Sequence, residues 1–226
     1  DRRGNQYIDC VAGMGAAILG HAHPALCEAV ENQVRRLSCC PNLFVHRPGA
    51  ALFEKLAAVT PAGLERGFLC NSGAESVEAA LKFARFTTRR PGVVCAKGGF
   101  HGRTLGALSA THANKYREGF EPLLPDFTFV PYNQIDMLVD AVGPDTGAVL
   151  LELVQGAGGV HVAKSDYPAQ VREFCTEKDL LLIIDEVQTG FCRTGAMFAC
   201  QHFGLAPDML CMSKAMANGI PAGGVF

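Results

Sequence analysis

The sequence predicts an α/β fold with a mostly parallel central sheet flanked by helices. Three observations predict it. Short runs apolar on every residue recur along the chain ("GVVCA", "GAVLL", "LLLII"), which is the signature of strands covered on both faces. Stretches with helical periodicity lie between several of them, as crossover connections require. Polar and glycine residues gather directly after the runs, where such sheets hold their ligands.

The elements follow in order. In "PALCEAVENQVRRL", Leu26, Ala29, Val30, Val34 and Leu37 share one helical face. "RGFLC" reads as a short strand. It leads into "NSGAESVEAALKFARF", where Val77, Leu81 and Ala84 stand at i, i+4 and i+7, a helix opened by Asn71-Ser72-Gly73. "GVVCAK", "FTFVPY", "GAVLLELV", "LLLIID" and "MLCMS" are further strands, and "YPAQVREFCTEKD" is a helix between two of them.

Composition narrows the function classes. With 49% apolar and 19% charged residues in 226, the chain is globular rather than disordered. A formal net charge of −2 gives no positive field for nucleic acid or an anionic membrane, and no apolar run reaches spanning length. The ten cysteines contain no C-x-x-C, so neither a zinc ribbon nor a dithiol site is indicated. They read as buried, reduced thiols of a cytoplasmic protein. The abrupt start at "DRRGNQYIDC" and the apolar end at "GIPAGGVF" lead us to expect a piece of a longer protein.

Five polar segments follow the strands: Asn71-Ser72-Gly73, Gly98 to Arg103, Gln155-Gly156, Asp185-Glu186 with Gln188, and Ser213-Lys214. In "CNSGAES" a helix start after a strand offers free N–H groups to an anion; the plainer reading is an ordinary N-cap. Asp185 follows five apolar residues, so its carboxylate needs a cationic partner. In the plain reading it caps a loop or pairs with an arginine; in the functional readings it faces a protonated ligand nitrogen, or a metal shared with Glu186. Lys214 and Asp208 are the only Asp, Glu, Lys or Arg residues after Thr194. A desolvated lysine is a nucleophile toward carbonyls; a surface-reaching lysine is the plain alternative. "KGGFHGRTLGA" presents Phe100, His101 and Arg103 in a glycine-rich loop, suited to stacking on a planar group and binding a carboxylate. An anion cradle, a buried Asp, an aromatic ring and a reactive lysine together describe a pyridoxal phosphate site.

The segments "YIDCVAGMGAAILGHAHP", "NSGAESVEAALKFAR", "GGFHGRTLGAL", "LLELVQGAGGV", "LLIIDEVQTGFCRTG" and "PDMLCMSKAMANGIP" resemble, in the same order, the class III aminotransferases. These belong to the fold-type-I pyridoxal-phosphate enzymes. The resemblance implies that Lys214 holds the cofactor as a Schiff base and moves the proton. It implies that Asp185 pairs with the pyridinium nitrogen, Gln188 meets the ring hydroxyl oxygen, Ser72, Gly73 and Ala74 bind the phosphate, and Phe100 stacks on the ring. Arg103 matches the arginine that binds a substrate carboxylate in ornithine and acetylornithine members. The implied reaction moves an amino group from an amino acid or ω-amino acid to a keto acid. Sibling reactions, namely decarboxylating transamination, aminomutation or racemisation, use the same cofactor residues. The resemblance further implies a cytoplasmic homodimer, with residues 1–40 in a small-domain or linker region and 41–226 in the cofactor-binding large domain. Departures are Ala157 where many members carry a glutamate, Leu153 for a common Pro, and Cys192 and Ala215 for common glycines. Two rivals stay open at this level: a Mg²⁺-dependent nucleotide hydrolase using Asp185-Glu186, though no P-loop is present, and a catalytically silent homologue.

Overall fold

The structure, a computed structural model, describes residues 1–41 and 43–226. Every strand read from the apolar runs is present: β1 (Phe68–Cys70), β2 (Gly92–Ala96), β3 (Phe127–Val130), β4 (Thr146–Leu151), β7 (Leu181–Asp185) and β8 (Met209–Met212). Three more were not read from the sequence. β5 (Val154–Gln155) and β6 (His161–Val162) form a small antiparallel pair, and β9 (Gly223–Val225) joins the main sheet. The sheet runs β1-β9-β8-β7-β4-β2-β3. β8, β7, β4, β2 and β3 are parallel, and β9 lies antiparallel between β8 and β1. β9 escaped notice because two of its three residues are glycine, which carries no apolar pattern. Its glycines have a packing reason: a Cβ on Gly223 would run into the Ser72 carbonyl.

Alternation along the strands splits the core into two layers, as period two requires. Val93 and Cys95 of β2, Ala148 and Leu150 of β4, Ile183 of β7 and Cys211 of β8 face one side. There they meet Val77, Ala80, Leu81 and Ala84 of the helix Gly73–Thr88. Val94, Ala96, Val149, Leu151, Leu182, Ile184, Leu210 and Met212 face the other side. They cluster with Tyr167, Val171, Phe174 and Cys175 of the helix Tyr167–Glu177. Each fully buried Leu or Ile contributes about 1.5–3 kcal/mol relative to exposure, so the central strands, buried on both faces, anchor the segments at their carboxyl ends.

One helix reading is completed by the structure and one expectation is corrected. The stretch at Pro24–Arg36 is helical as its periodicity predicts, but none of its residues is buried, and Val34 is 61% exposed. Periodicity dictates the helix and its apolar stripe, not what covers the stripe. Of the ten cysteines, Cys95, Cys175, Cys200 and Cys211 are buried, whereas Cys10, Cys27, Cys39 and Cys192 are exposed. The exposed ones lie on surface elements where, among the described residues, the chain leaves them open. Residues 15–20 are tied down by three contacts: Arg193 donates to the Gly15 carbonyl (3.0 Å), and Asn218 accepts from Leu19 N–H (2.8 Å) and donates to the Gly20 carbonyl (3.0 Å). Among the described residues, no helix is long and apolar enough to cross a membrane.

Candidate active site

The carboxyl ends of β4, β7 and β8 open into one cavity of about 450 Å³. β7 delivers Asp185 to its floor, 5% exposed. The partner of Asp185 is a histidine: His101 Nδ1 lies 2.8 Å from Asp185 Oδ2, and Val187 N–H donates to Oδ1 at 3.0 Å. Thr111 holds the histidine's backbone, its Oγ1 accepting from His101 N–H at 2.9 Å. Burial pulls the His101 pKa down, but the hydrogen bond and charge of Asp185, with the charge of Glu152, outweigh it and raise the pKa overall. The imidazole therefore holds its proton more tightly than a free imidazole does.

β8 ends at Met212, and the chain then turns through Ser213 into a short 3-10 helix beginning at Lys214. Ser213 Oγ anchors the turn by donating to the Ala222 carbonyl at 2.6 Å. Lys214 has φ +48, a left-handed conformation that costs a non-glycine residue about 1–2 kcal/mol and persists where the surroundings impose it. Its Nζ donates to Gln188 Oε1 at 2.9 Å. Burial lowers the Lys214 pKa, Asp185 and Glu152 act against that, and Arg193 adds to it; the net shift is downward. A strained, partly desolvated amine is the type of lysine that attacks carbonyls.

The start of the helix Gly73–Thr88 divides the two readings of "NSGAES" between neighbouring residues. Ser72 is the N-cap, its hydroxyl accepting from Glu75 N–H at 3.2 Å, while the Glu75 carboxylate accepts from Asn71 N–H at 2.5 Å. The pair resembles a capping box displaced by one residue, since Glu75 reaches the N–H before the N-cap rather than that of Ser72 itself. Gly73 and Ala74 line the cavity. Their N–H groups belong to the first turn, with no carbonyl one turn earlier to receive them, so they present the positive helix end to the space.

The glycine-rich loop closes the opposite side. Phe100 lines the cavity with its ring edge-on to Tyr116, centroids 5.1 Å apart, and its N–H donates to Glu152 Oε2 at 2.9 Å. Arg103 is exposed at the mouth and forms no ion pair among the described residues. Gly102 has φ +133, and a Cβ there would sit 2.9 Å from the Cβ atoms of Ala74 and Ala107. The loop thus lies flat on the helix start. Glu78 holds it in place: Oε1 accepts from Thr104 Oγ1 (2.6 Å), Gly106 N–H (2.9 Å) and Ala107 N–H (3.1 Å).

The cavity brings together Gly73, Ala74, Phe100, Arg103, Asp185, Gln188 and Lys214 from four of the five segments read from the sequence, and Gln155-Gly156 is not part of its lining; Ser72 adjoins it through the backbone of Gly73. Two residues had no part in the sequence reading of the site. His101 stood in a noted loop without a role, because its contact with Asp185 spans 84 positions. Glu152 was read as part of the strand "GAVLLELV", but β4 ends at Leu151, which makes Glu152 the first residue beyond the edge. Burial pushes its carboxyl up to about 7, against the charges of His101 and Lys214 and the Phe100 N–H. Glu186, next to Asp185, points elsewhere. Its carboxylate accepts from Thr189 Oγ1, from Ala199 N–H (3.0 Å) and from Cys200 N–H (2.8 Å). The two carboxylates diverge, so they do not form the shared metal pair that a hydrolase reading needs. Ala157 is exposed in the turn between β5 and β6.

Comparison with known proteins points the same way. The profile of the family described as aminotransferase class-III matches residues 1–226. The acetylornithine aminotransferase of Methanopyrus kandleri is 48% identical over 223 residues, covering 99% of this chain and 57% of that protein. The LysW-aminoadipate semialdehyde transaminase of Deinococcus radiodurans is 48% identical over 223 residues, covering 98% of this chain and 52% of that one. The crystal structure of the Toxoplasma gondii ornithine aminotransferase superimposes with a TM-score of 0.94 at 33% identity, over 100% of this chain and 56% of that chain. The chain therefore spans little more than half the length of these proteins. The architecture is the fold-type-I arrangement expected from the sequence, a mostly parallel sheet with flanking helices.

Proposed function

We propose, from the premise that this chain belongs to the class-III aminotransferase family, that its protein is a transaminase moving an amino group from an amino acid or ω-amino acid to a keto acid with pyridoxal 5'-phosphate. The observation that carries the reading is the Lys214 amine, held by a left-handed backbone 2.9 Å from Gln188 and sharing a cavity with buried Asp185. The residues present fit the cofactor. There is a buried carboxylate for a ring nitrogen, an amine for an aldehyde, and a helix start with two free N–H groups for a phosphate.

When bound, the cofactor supplies an aldehyde carbon that captures amines and a ring that withdraws electrons. Lys214 Nζ would hold that carbon, and would take the proton from the substrate carbon next to nitrogen once displaced. Asp185, backed by His101, would keep the ring nitrogen protonated. Gln188 would meet the ring hydroxyl oxygen. Gly73 and Ala74 N–H, with Ser72, would bind the phosphate, and Phe100 would cover a ring face. Arg103, at the mouth, would pair with a substrate carboxylate. The transaminase names of both relatives favour nitrogen transfer over decarboxylation, mutation or racemisation. Family membership supports a cytoplasmic homodimer. It also supports a boundary near residue 40 between a small-domain or linker segment and the cofactor-binding large domain.

The test is spectroscopic and chemical. The full-length protein should show a visible absorption band with pyridoxal phosphate, bleached by borohydride and lost in Lys214→Ala. It should also exchange labelled nitrogen between an amino donor and a keto acid. A band that survives Lys214→Ala, or an absence of nitrogen exchange, refutes the reading.

A further inference from the structure

The small β5-β6 hairpin lies beside the cavity, and its turn, "QGAGG", touches both walls. Gln155, 1% exposed, donates from Nε2 to the Lys97 carbonyl at 3.0 Å, just ahead of the glycine-rich loop. A Cβ on Gly158 would sit 2.6 Å from the Gly98 carbonyl oxygen. Val160 N–H closes the turn on the Gln155 carbonyl at 2.9 Å. The turn is therefore pinned on the loop side and has no room to retreat there.

Its other side faces Gln188. A Cβ built on Gly156 would lie 2.9 Å from Cδ, Nε2 and Oε1 of the Gln188 amide at once. That is closer than carbon atoms normally approach these groups. The same Oε1 accepts from Lys214 Nζ at 2.9 Å. The backbone of Gly156 is outside the positive-φ range, so the conformation does not demand glycine; the space does. Because the turn is pinned and the Gln188 amide is the free end of a flexible side chain, a methyl at 156 would displace the amide rather than the backbone.

We propose that Gly156 is a positioning residue whose missing side chain lets the Gln188 amide reach the Lys214 amine. It acts through Gln188 and touches neither substrate nor the reacting atoms. The inference rests on the reading of Lys214 as the reactive amine, and its test is independent of turnover.

An ammonium that loses an amide acceptor is less favoured over the free amine. The charged groups acting on Lys214 are Asp185, Glu152 and Arg193, and all remain in the variants below. In the full-length protein freed of bound cofactor, Lys214 acetylation by an N-hydroxysuccinimide ester at neutral pH can be followed by peptide mass spectrometry. We expect Gly156→Ala and Gln188→Ala each to speed it by up to about tenfold, as loss of one charge-assisted hydrogen bond allows. The double variant should be no faster than Gln188→Ala alone. Wild-type reactivity in Gly156→Ala or in Gln188→Ala overturns the proposal, as does a double variant that adds the two effects. If Gly156→Ala folds poorly, a double variant with wild-type melting supports the proposal, and one that also folds poorly overturns it. A protein that binds no pyridoxal phosphate but keeps this pattern refutes the proposed function and leaves the positioning role standing.

Discussion

Glu152→Gln should stabilise the protein at alkaline pH and much less in acid. Glu152 is 6% exposed at the edge of β4, and burial raises its carboxyl from an ordinary 4.5 to about 7. A raised carboxyl holds its proton more tightly in the folded state than in the unfolded one. Stability is therefore lost as pH climbs from about 4.5 toward 7, the reverse of a salt-bridged carboxylate. At pH 8 the cost of ionising the buried group is about 3 kcal/mol, and at pH 5 it is about 1 kcal/mol. Glutamine has nearly the same volume, keeps an oxygen for the Phe100 N–H that Glu152 accepts at 2.9 Å, and cannot ionise. Denaturant unfolding of the cofactor-free, full-length pair at pH 5 and pH 8 measures the difference directly. The variant should gain about 3 kcal/mol at pH 8 and only about 1 kcal/mol at pH 5. A Glu152→Gln protein that is destabilised equally at both values would show that the carboxylate, not the neutral acid, is the form the fold holds.

Two other changes probe how neighbouring residues divide structural and chemical roles. Glu186→Ala strips the acceptor from Thr189, Ala199 and Cys200 and should cost about 3–5 kcal/mol in denaturant unfolding, because buried donors are left unmatched. An effect under about 1 kcal/mol would mean that those donors find other partners. Gly102→Ala imposes a disfavoured φ and presses on Ala74 and Ala107. It should cost about 2–4 kcal/mol and weaken binding of a carboxylate substrate by displacing Arg103, seen as a raised KM; an unchanged KM contradicts the link.

Much of this site was legible because charge is conspicuous in apolar surroundings. Asp185 and Lys214 stand out from the runs that precede them, and the strand ends that carry them were readable to within a residue or two. Pairings across the chain were not readable. Nothing local links His101 to Asp185, and the bond exists only because β7 and the loop after β2 meet in three dimensions. Glu152 was hidden by a boundary: an acidic residue inside "LLELV" reads as strand until β4 is seen to stop at Leu151. The role of Gly156 was equally silent, since a glycine in a turn looks the same whether the backbone or a neighbour requires it. At the other extreme, the apolar stripe of Pro24–Arg36 was plain in the sequence, yet none of its residues is buried among the described residues.

The place of β9 carries a consequence for synthesis. β9 lies between β1 and β8, Ser76 Oγ of the helix Gly73–Thr88 donates to the Gly224 carbonyl at 2.5 Å, and Gly223 packs on the Ser72 carbonyl. On a ribosome, residues 68–76 emerge about 150 positions before the strand that secures them, roughly ten seconds at the usual pace of translation. Until then β1 lacks the strand it pairs with among the described residues, and the Ser76 hydroxyl lacks its carbonyl acceptor. Nascent chains halted before residue 223 should leave this helix start open to protease while β2, β3 and β4 are already guarded. The anion-binding corner of the cavity would then be the last part of the sheet to close.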